Sequence, residues 1–442
     1  MKKKLIEIDL LIQNGLLLTY NQKPRIGSVA IQDNKIMEIG ENATLERKYN
    51  WKNLLDATGK IVMPGFVNTH THAAMSYFKG LADDLPLMDW LTNFIWPAEK
   101  HFLTAEFVYD AVLHGCAEMI RHGITCFNDM YFFGDEAAQA AQKVGIRAVL
   151  GEGVLDYPAV KYQNADEIFA YISEMHAKYK DHGLIDFAVA PHAIYTCGKT
   201  NLIKAKELAA KLGILLHLHL SETRQEVEDC LKEHSVRPTE YLNQLGIFEQ
   251  PVVAAHAIWL SREEHDILAE KNVSIAINTS SNLKLASGFD SFAYYLKEGI
   301  NLSLGTDGVA SNNNLSMLQE ISLTAKLQKA LNNDPTILPA RQMIEIATLG
   351  GAKALQKQNS IGSLQEGRLA DLITIDINSL EALPIYDPFS HLVYSLSSEH
   401  IKDVVINGNI VMKDRQLQFV EEAELLAKAR YHQQKITEFV AK

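Results

Sequence analysis

At 442 residues the chain is too long for one small domain and long enough for a large barrel with an accessory domain. Its 47% hydrophobic and 22% charged content is that of an ordinary globular protein, and no apolar run approaches the roughly 20 residues of a bilayer span. A net charge of -12, with no basic run longer than the N-terminal Lys2-Lys3-Lys4, argues against nucleic acid as a partner, because phosphate binding needs a clustered basic face. That basic start briefly imitates a signal peptide, but Glu7 and Asp9 interrupt the apolar stretch behind it. Cys116, Cys126, Cys197 and Cys230 are scattered without a CxxC pair and read as reduced thiols, so a cytoplasmic protein without membrane contacts is expected.

The first 60 residues read as β structure, with short apolar runs at 10–18, 29–31 and 36–39, the last two joined by the turn Asp33-Asn34-Lys35. From Ile61 the pattern changes to strands alternating with helices. Apolar runs recur at 61–68, 124–129, 147–150, 185–192, 215–219, 252–256, 273–278 and 302–307, with helical stretches such as 105–121, 202–212 and 262–271 between them. Eight such units over residues 61–368 predict an α/β fold, a (β/α)8 TIM-like barrel. Toward the C-terminus, 371–375 is strand-like, and 404–406 and 410–412 flank Asn407-Gly408, the strongest short-range hairpin signal. The two ends, 1–60 and 369–442, are therefore expected to form one small β-sandwich, followed by a terminal helix over 421–439.

The polar residues fall in a telling place. The predicted barrel strands end in or near His72, Asp129, His192, His219, His256, Asn278 and Asp307. Catalytic groups of this architecture gather at the C-terminal ends of the strands. So many polar ends would be costly to bury without partners, and a shared metal and substrate explains them together. His70 and His72 are the most informative pair: residues i and i+2 of a strand face the same way, and converging imidazoles suit a borderline-soft divalent cation such as zinc. His217 and His219 share that spacing, and from spacing alone either is a candidate ligand.

Taken together, HTH at the first strand, His219 at the fifth, His256 at the sixth and Asp307 at the eighth resemble the amidohydrolase superfamily over nearly the whole chain. HTHAAMSYFKGLADDLPLMDWL (70–91), HLHLSET (217–223), AAHAIWL (254–260), SNLKLASG (281–288) and LGTDGVASNNN (304–314) are similar to the branch that deaminates 5'-methylthioadenosine and S-adenosylhomocysteine. The resemblance implies one Zn2+ per subunit, with Fe2+ or Mn2+ as alternative ions, held by His70, His72, His219 and Asp307 with one position left for water. His219 is favoured over His217 because the family's ligand stands three residues before a glutamate, here Glu222. Such an ion lowers the pKa of its water from about 15.7 toward 7. Asp307 is then expected to take the water's proton, His256 to stabilise the resulting hydroxide, and Glu222 to protonate ring N1 while C6 is attacked. Ammonia leaves with the proton that Asp307 returns. The third and fourth strands carry no lysine to bridge two metals, which disfavours a dinuclear amide hydrolase.

Trp90 and Glu99, nine residues apart, match the family pattern in which the glutamate accepts both ribose hydroxyls while the tryptophan packs nearby. By the same resemblance His192 contacts the purine, and Asn278 and Asn282 are candidates to line the mouth. The chain departs from the family at Asn278-Thr279-Ser280-Ser281-Asn282, where NPxSN is common, and at Leu315-Ser316, where an acidic residue is common. Residues 151–167 hold no arginine for a homocysteine carboxylate, and Lys161 is the nearest substitute, a flexible point charge rather than a fork. Nucleosides without a charged tail are therefore expected to react better. The partner expected is a small purine nucleoside, and the resemblance implies a homo-oligomer. Two other readings compete: a deaminase of a free guanine, pterin or triazine ring, for which Glu99 would have no diol to bind, and an inactive scaffold, against which stands the complete set of metal and catalytic residues.

Overall fold

Two sheets organise the chain, seen in a computed structural model that describes residues 5–20 and 22–441; the basic start, 1–4, lies outside the described residues. Eight parallel strands follow one another in chain order around the first sheet: Phe66–Thr71, Ile124–Tyr131, Arg147–Val154, Ile185–Pro191, Leu216–Leu220, Val252–His256, Ser274–Ile277 and Asn301–Leu304. The first and last meet where the Thr69 hydroxyl donates to the Leu304 carbonyl at 2.9 Å and the Asp307 N–H to the His70 carbonyl at 2.9 Å. The expected (β/α)8 barrel is thus present. Its strands are buried at nearly every position, as parallel strands covered by helices on one side and packed side chains on the other must be. Helices between them begin at hydroxyl caps: Thr104 before Ala105–Arg121, Thr223 before Arg224–His234, and Ser261, with a capping box, before Arg262–Glu270.

Strands from both chain ends build the second sheet, in the order Gln416–Leu417, Asn409–Lys413, Ile401–Ile406, Leu372–Asp376, Lys60–Pro64, Ile6–Leu17, Arg25–Gln32 and Lys35–Gly40, with Tyr49–Asp56 also paired to Ile6–Leu17. The expected union of the two ends takes the form of one hydrogen-bonded mixed sheet, whose core joins Leu10, Ile12 and Val29 to Leu372 and Val405. The Asn407-Gly408 hairpin is present, both residues at positive φ (52° and 78°), as a tight two-residue turn requires. The single strand expected at 61–68 is two strands. Gly65 divides them, donating to the Asp371 carbonyl at 3.1 Å, and a Cβ there would lie 2.1 Å from Thr125 Cγ2. Lys60–Pro64 thus belongs to the terminal sheet and only Phe66–Thr71 to the barrel; both are buried, so their hydrophobic pattern runs on across the switch. Arg147, at the base of the third barrel strand, locks the sheets together with two bonds to Asp371, at 2.8 and 3.2 Å.

The terminal helix, Glu422–Val440, covers its own barrel. Lys428 Nζ reaches buried Asp110 at 2.5 Å, the His432 ring stacks on Tyr77 at 4.7 Å, and Phe439 stacks on His101 at 4.6 Å. Among the described residues no helix is long and apolar enough to cross a membrane.

Candidate active site

The C-terminal strand ends converge on one buried cluster. His70 Nε2 and His72 Nε2, from the first barrel strand, both lie 3.3 Å from Asp307 Oδ1 beyond the eighth. Each imidazole is held from behind through Nδ1: His72 donates to the Met130 carbonyl at 2.6 Å, His219 to the His192 carbonyl at 2.9 Å, and His256 to Asn282 Oδ1 at 2.7 Å. A neutral ring that gives its Nδ1 proton to an oxygen keeps its lone pair on Nε2, on the side of the cluster, although against burial the Asp307 carboxylate pushes His72 up to about 9. Burial pushes His70 down to about 4 and His219 well below the ordinary histidine range, so both stay neutral.

The donor set fits a zinc-type ion. His70, His72 and His219 each offer an atom within 4.8 Å of the others, as do His70, His256 and Asp307. His70 Nε2 is buried without a hydrogen-bond partner, a cost that a cation removes. His217 contributes nothing to this cluster: it stands behind His70, its Nε2 2.9 Å from His70 Nδ1 and its own Nδ1 3.1 Å from Asn128 Nδ2.

Asp307 is anchored on both oxygens. Oδ1 accepts the Gly308 N–H at 2.7 Å, and Oδ2 accepts the hydroxyls of Ser281 at 2.5 Å and Ser311 at 3.0 Å. Three strand-end residues sit in the left-handed region: Asp307 at φ 57°, His256 at 70° and Ser221 at 47°. Non-glycine residues hold such angles only where their surroundings over-determine them, and here they cluster around one cavity. Glu222 follows Ser221, its Oε2 3.7 Å from His256 Nε2 and its Oε1 3.4 Å from Ser287 Oγ. Burial raises its pKa against the pull of His256.

The cluster floors a cavity of about 580 Å³. His72, Trp90, Glu99, His192, His219, Glu222, His256 and Asp307 all line it, and His70 lies fully buried beneath. Glu99 Oε1 accepts the Tyr131 hydroxyl at 2.6 Å, and burial pushes its pKa up to about 7. His192, bonded to Thr196 Oγ1 at 2.8 Å, is driven down to about 3 by burial. Farther out the wall is apolar, with Trp96, Tyr157 and Val160 all partly open to solvent.

Some expected site residues are elsewhere. Asn278 and Asn282 are buried and do not line the cavity; short side chains beyond the seventh strand turn into the packing, and Asn282 serves His256. Lys161 does not line the cavity either. Its ammonium lies over the Tyr171 ring at 3.8 Å and the Phe133 ring at 4.7 Å, where cation–π attraction holds it off the cavity. Lys100, on the rim, is the one lysine or arginine among the described lining residues. Asp129 caps the turn after His72, accepting the Ala73 N–H at 2.7 Å. Unforeseen were Tyr131 on Glu99 and the two serines on Asp307. Tyr131 had a legible signal, since it stands two residues beyond Asp129 on the same strand face; the serines reach Asp307 only through tertiary folding.

Residues 61–411 match the family model described as Amidohydrolase family. The chain is 44% identical over 431 residues to the 5-methylthioadenosine/S-adenosylhomocysteine deaminase of Thermodesulfovibrio yellowstonii, covering 96% of this chain and 98% of that protein. It is 42% identical over 400 residues to the 5'-deoxyadenosine deaminase of Methanothermobacter thermautotrophicus, covering 90% and 92%. A crystal structure of an adenosine deaminase from Xanthomonas campestris with bound zinc superposes with a TM-score of 0.96 at 37% identity, over 98% of this chain and 100% of that one. With its barrel, its histidine–aspartate cluster and relatives matched nearly end to end, the chain belongs to the amidohydrolase superfamily and, within it, to the 5'-methylthioadenosine/S-adenosylhomocysteine deaminase family.

Proposed function

We propose that this protein is a metal-dependent aminohydrolase that converts an adenine nucleoside to its inosine counterpart and ammonia. One observation carries the reading: three converging imidazoles and Asp307 floor a cavity whose wall presents Glu99. His70, His72, His219 and Asp307 would hold one Zn2+, which supplies a water ionised near neutrality. Glu222, whose pKa burial raises, donates to N1 of the purine, withdrawing electrons from C6. His256, oriented by Asn282, bonds the attacking oxygen. Asp307, held by Gly308, Ser281 and Ser311, takes the released proton and passes it to the departing amino group, and the proton that leaves the C6 hydroxyl as the carbonyl forms replaces the one Glu222 gave to N1. Glu99 accepts the two ribose hydroxyls beside Trp90, and His192 meets the base edge.

At the 5' end the wall is apolar and its lone cation, Lys100, is on the rim. The substrate class proposed is therefore adenosine, 5'-deoxyadenosine or 5'-methylthioadenosine ahead of S-adenosylhomocysteine, whose charged tail would meet no fork of donors. Catalysis is assigned to residues 61–368, flanked by supporting segments 1–60 and 369–442. Four buried free cysteines support a reducing, cytoplasmic setting, and family resemblance supports a homo-oligomer.

The test is ultraviolet-monitored deamination of these nucleosides by protein of measured metal content. Conversion of 5'-methylthioadenosine with about one zinc per chain is the expected result. No turnover of any riboside, with turnover of guanine, a pterin or a triazine, would overturn the nucleoside reading. Equal or greater efficiency on S-adenosylhomocysteine would overturn the tail preference alone.

A further inference from the structure

A second glutamate is buried beside the proton donor and enters none of the steps above. Glu226 Oε1 accepts the N–H of Ser221 at 2.9 Å, and Oε2 accepts the N–H of Glu222 at 2.9 Å. No lysine or arginine among the described residues pairs with it. Burial pushes its pKa up to about 7, against the pull of the two amides. A buried carboxylate without a cation is an expensive way to satisfy two N–H groups. Helix capping does not explain it, because Thr223 already caps Arg224–His234 by accepting the Glu226 N–H at 3.1 Å. What the carboxylate does is grip two consecutive peptides at a left-handed residue, Ser221, immediately before Glu222.

The barrel rim uses the same device once more. Glu152 is buried and accepts the N–H groups of Phe133 and Gly134, each at 2.9 Å, and Phe133 is left-handed at φ 61°. That loop carries no proton donor. The pair supplies a comparison, with one brace under the acid and one under the loop that follows cavity-lining Tyr131 and Phe132.

We propose that Glu226 is a positioning residue for proton transfer, clamping the Ser221-Glu222 turn so that the Glu222 carboxyl stays beside His256 and the ring nitrogen it protonates. The inference rests on Glu222 being that donor. Two N–H bonds to one carboxylate leave the turn a single orientation, and the proton moves only if the Glu222 O–H is within hydrogen-bond reach as the N1–H bond forms. A misplacement of about 1 Å at such a site costs on the order of 100-fold.

Glu226→Gln keeps the side chain's shape and sets an N–H against an N–H. In the metal-loaded enzyme kcat is expected to fall about 10- to 100-fold, with KM for the nucleoside within about twofold and metal content unchanged. The alkaline limb of kcat, set by loss of the Glu222 proton, should shift. Glu152→Gln should lower the melting temperature comparably without this kcat loss. If Glu226→Gln folds poorly, Ser221→Gly in the same chain removes the strain of the left-handed residue and should restore the fold, and kcat must stay low. Wild-type kcat in Glu226→Gln, kcat recovered together with stability in the double variant, or an equal kcat loss in Glu152→Gln would each overturn the inference. Wild-type kcat in Glu222→Gln would instead overturn the assignment of the donor itself.

Discussion

The floor and the mouth of the cavity are built on opposite principles. On the floor the reacting groups are held from behind: His72, His219 and His256 each give Nδ1–H to a fixed oxygen, and Asp307 takes a backbone amide and two serine hydroxyls. At the mouth Trp96, Tyr157 and Val160 present apolar surface without polar partners, and Lys100 stands on the rim. The floor commits the site to one kind of chemistry by rigid preorganisation, whereas the mouth can change with little cost to folding. A single barrel thus suits related enzymes whose substrates share a reacting ring and differ in their tails.

Breaking the floor should cost most. Asp307→Asn removes both a ligand and the base, and kcat/KM is expected to fall by at least about 10⁴-fold, with less zinc retained after dialysis. Glu222→Gln should lower kcat by about 10²- to 10⁴-fold while leaving metal content intact. The acid must hold its proton, so wild-type activity falls as pH rises through the Glu222 pKa, which burial raises; that limb should vanish in Glu222→Gln. His217→Phe removes the ring behind His70, and zinc affinity, measured by competition with a chelator, should weaken about 10- to 100-fold with nucleoside KM little altered.

The wall between floor and mouth should respond more selectively. Glu99→Ala is expected to cost about 2 kcal/mol, on the order of 30-fold in kcat/KM, on a riboside and nothing measurable on any 2',3'-dideoxy analogue. Its acceptor oxygens are lost on protonation, so KM for ribosides should rise as pH falls through about 7, with kcat little changed. A KM independent of pH between about 6 and 8 would detach Glu99 from the ribose.

Much of this was legible because strand periodicity and metal chemistry speak through few residues. His70-Thr71-His72 on a strand needs no tertiary information to converge, and Asp307 at the end of the last strand closes the same ring. Two kinds of feature were hidden. One is a choice between equal spacings: His217 and His219 share a strand face, and only the packing shows that His217 backs His70 while His219 faces the cluster. The other is a contact made over distance in the chain. Ser281 and Ser311 on Asp307, and the rings that capture Lys161, follow from how loops fold over the barrel rim, which local pattern does not encode. Gly65 joins both kinds, as a switch of sheets inside one uninterrupted apolar run.

That switch has a consequence for the growing chain. Lys60–Pro64 pairs on one side with Ile6–Leu17, which is made early, and on the other with Leu372–Asp376, which emerges only after the whole barrel. Until then Ile61, Val62 and Met63 present an open apolar edge, directly ahead of the strand bearing His70 and His72. Such edges recruit strands from other chains. The last part of the sheet therefore acts as a seal applied late in synthesis, and the nascent enzyme is most exposed to aggregation during the interval when its metal ligands are already in place.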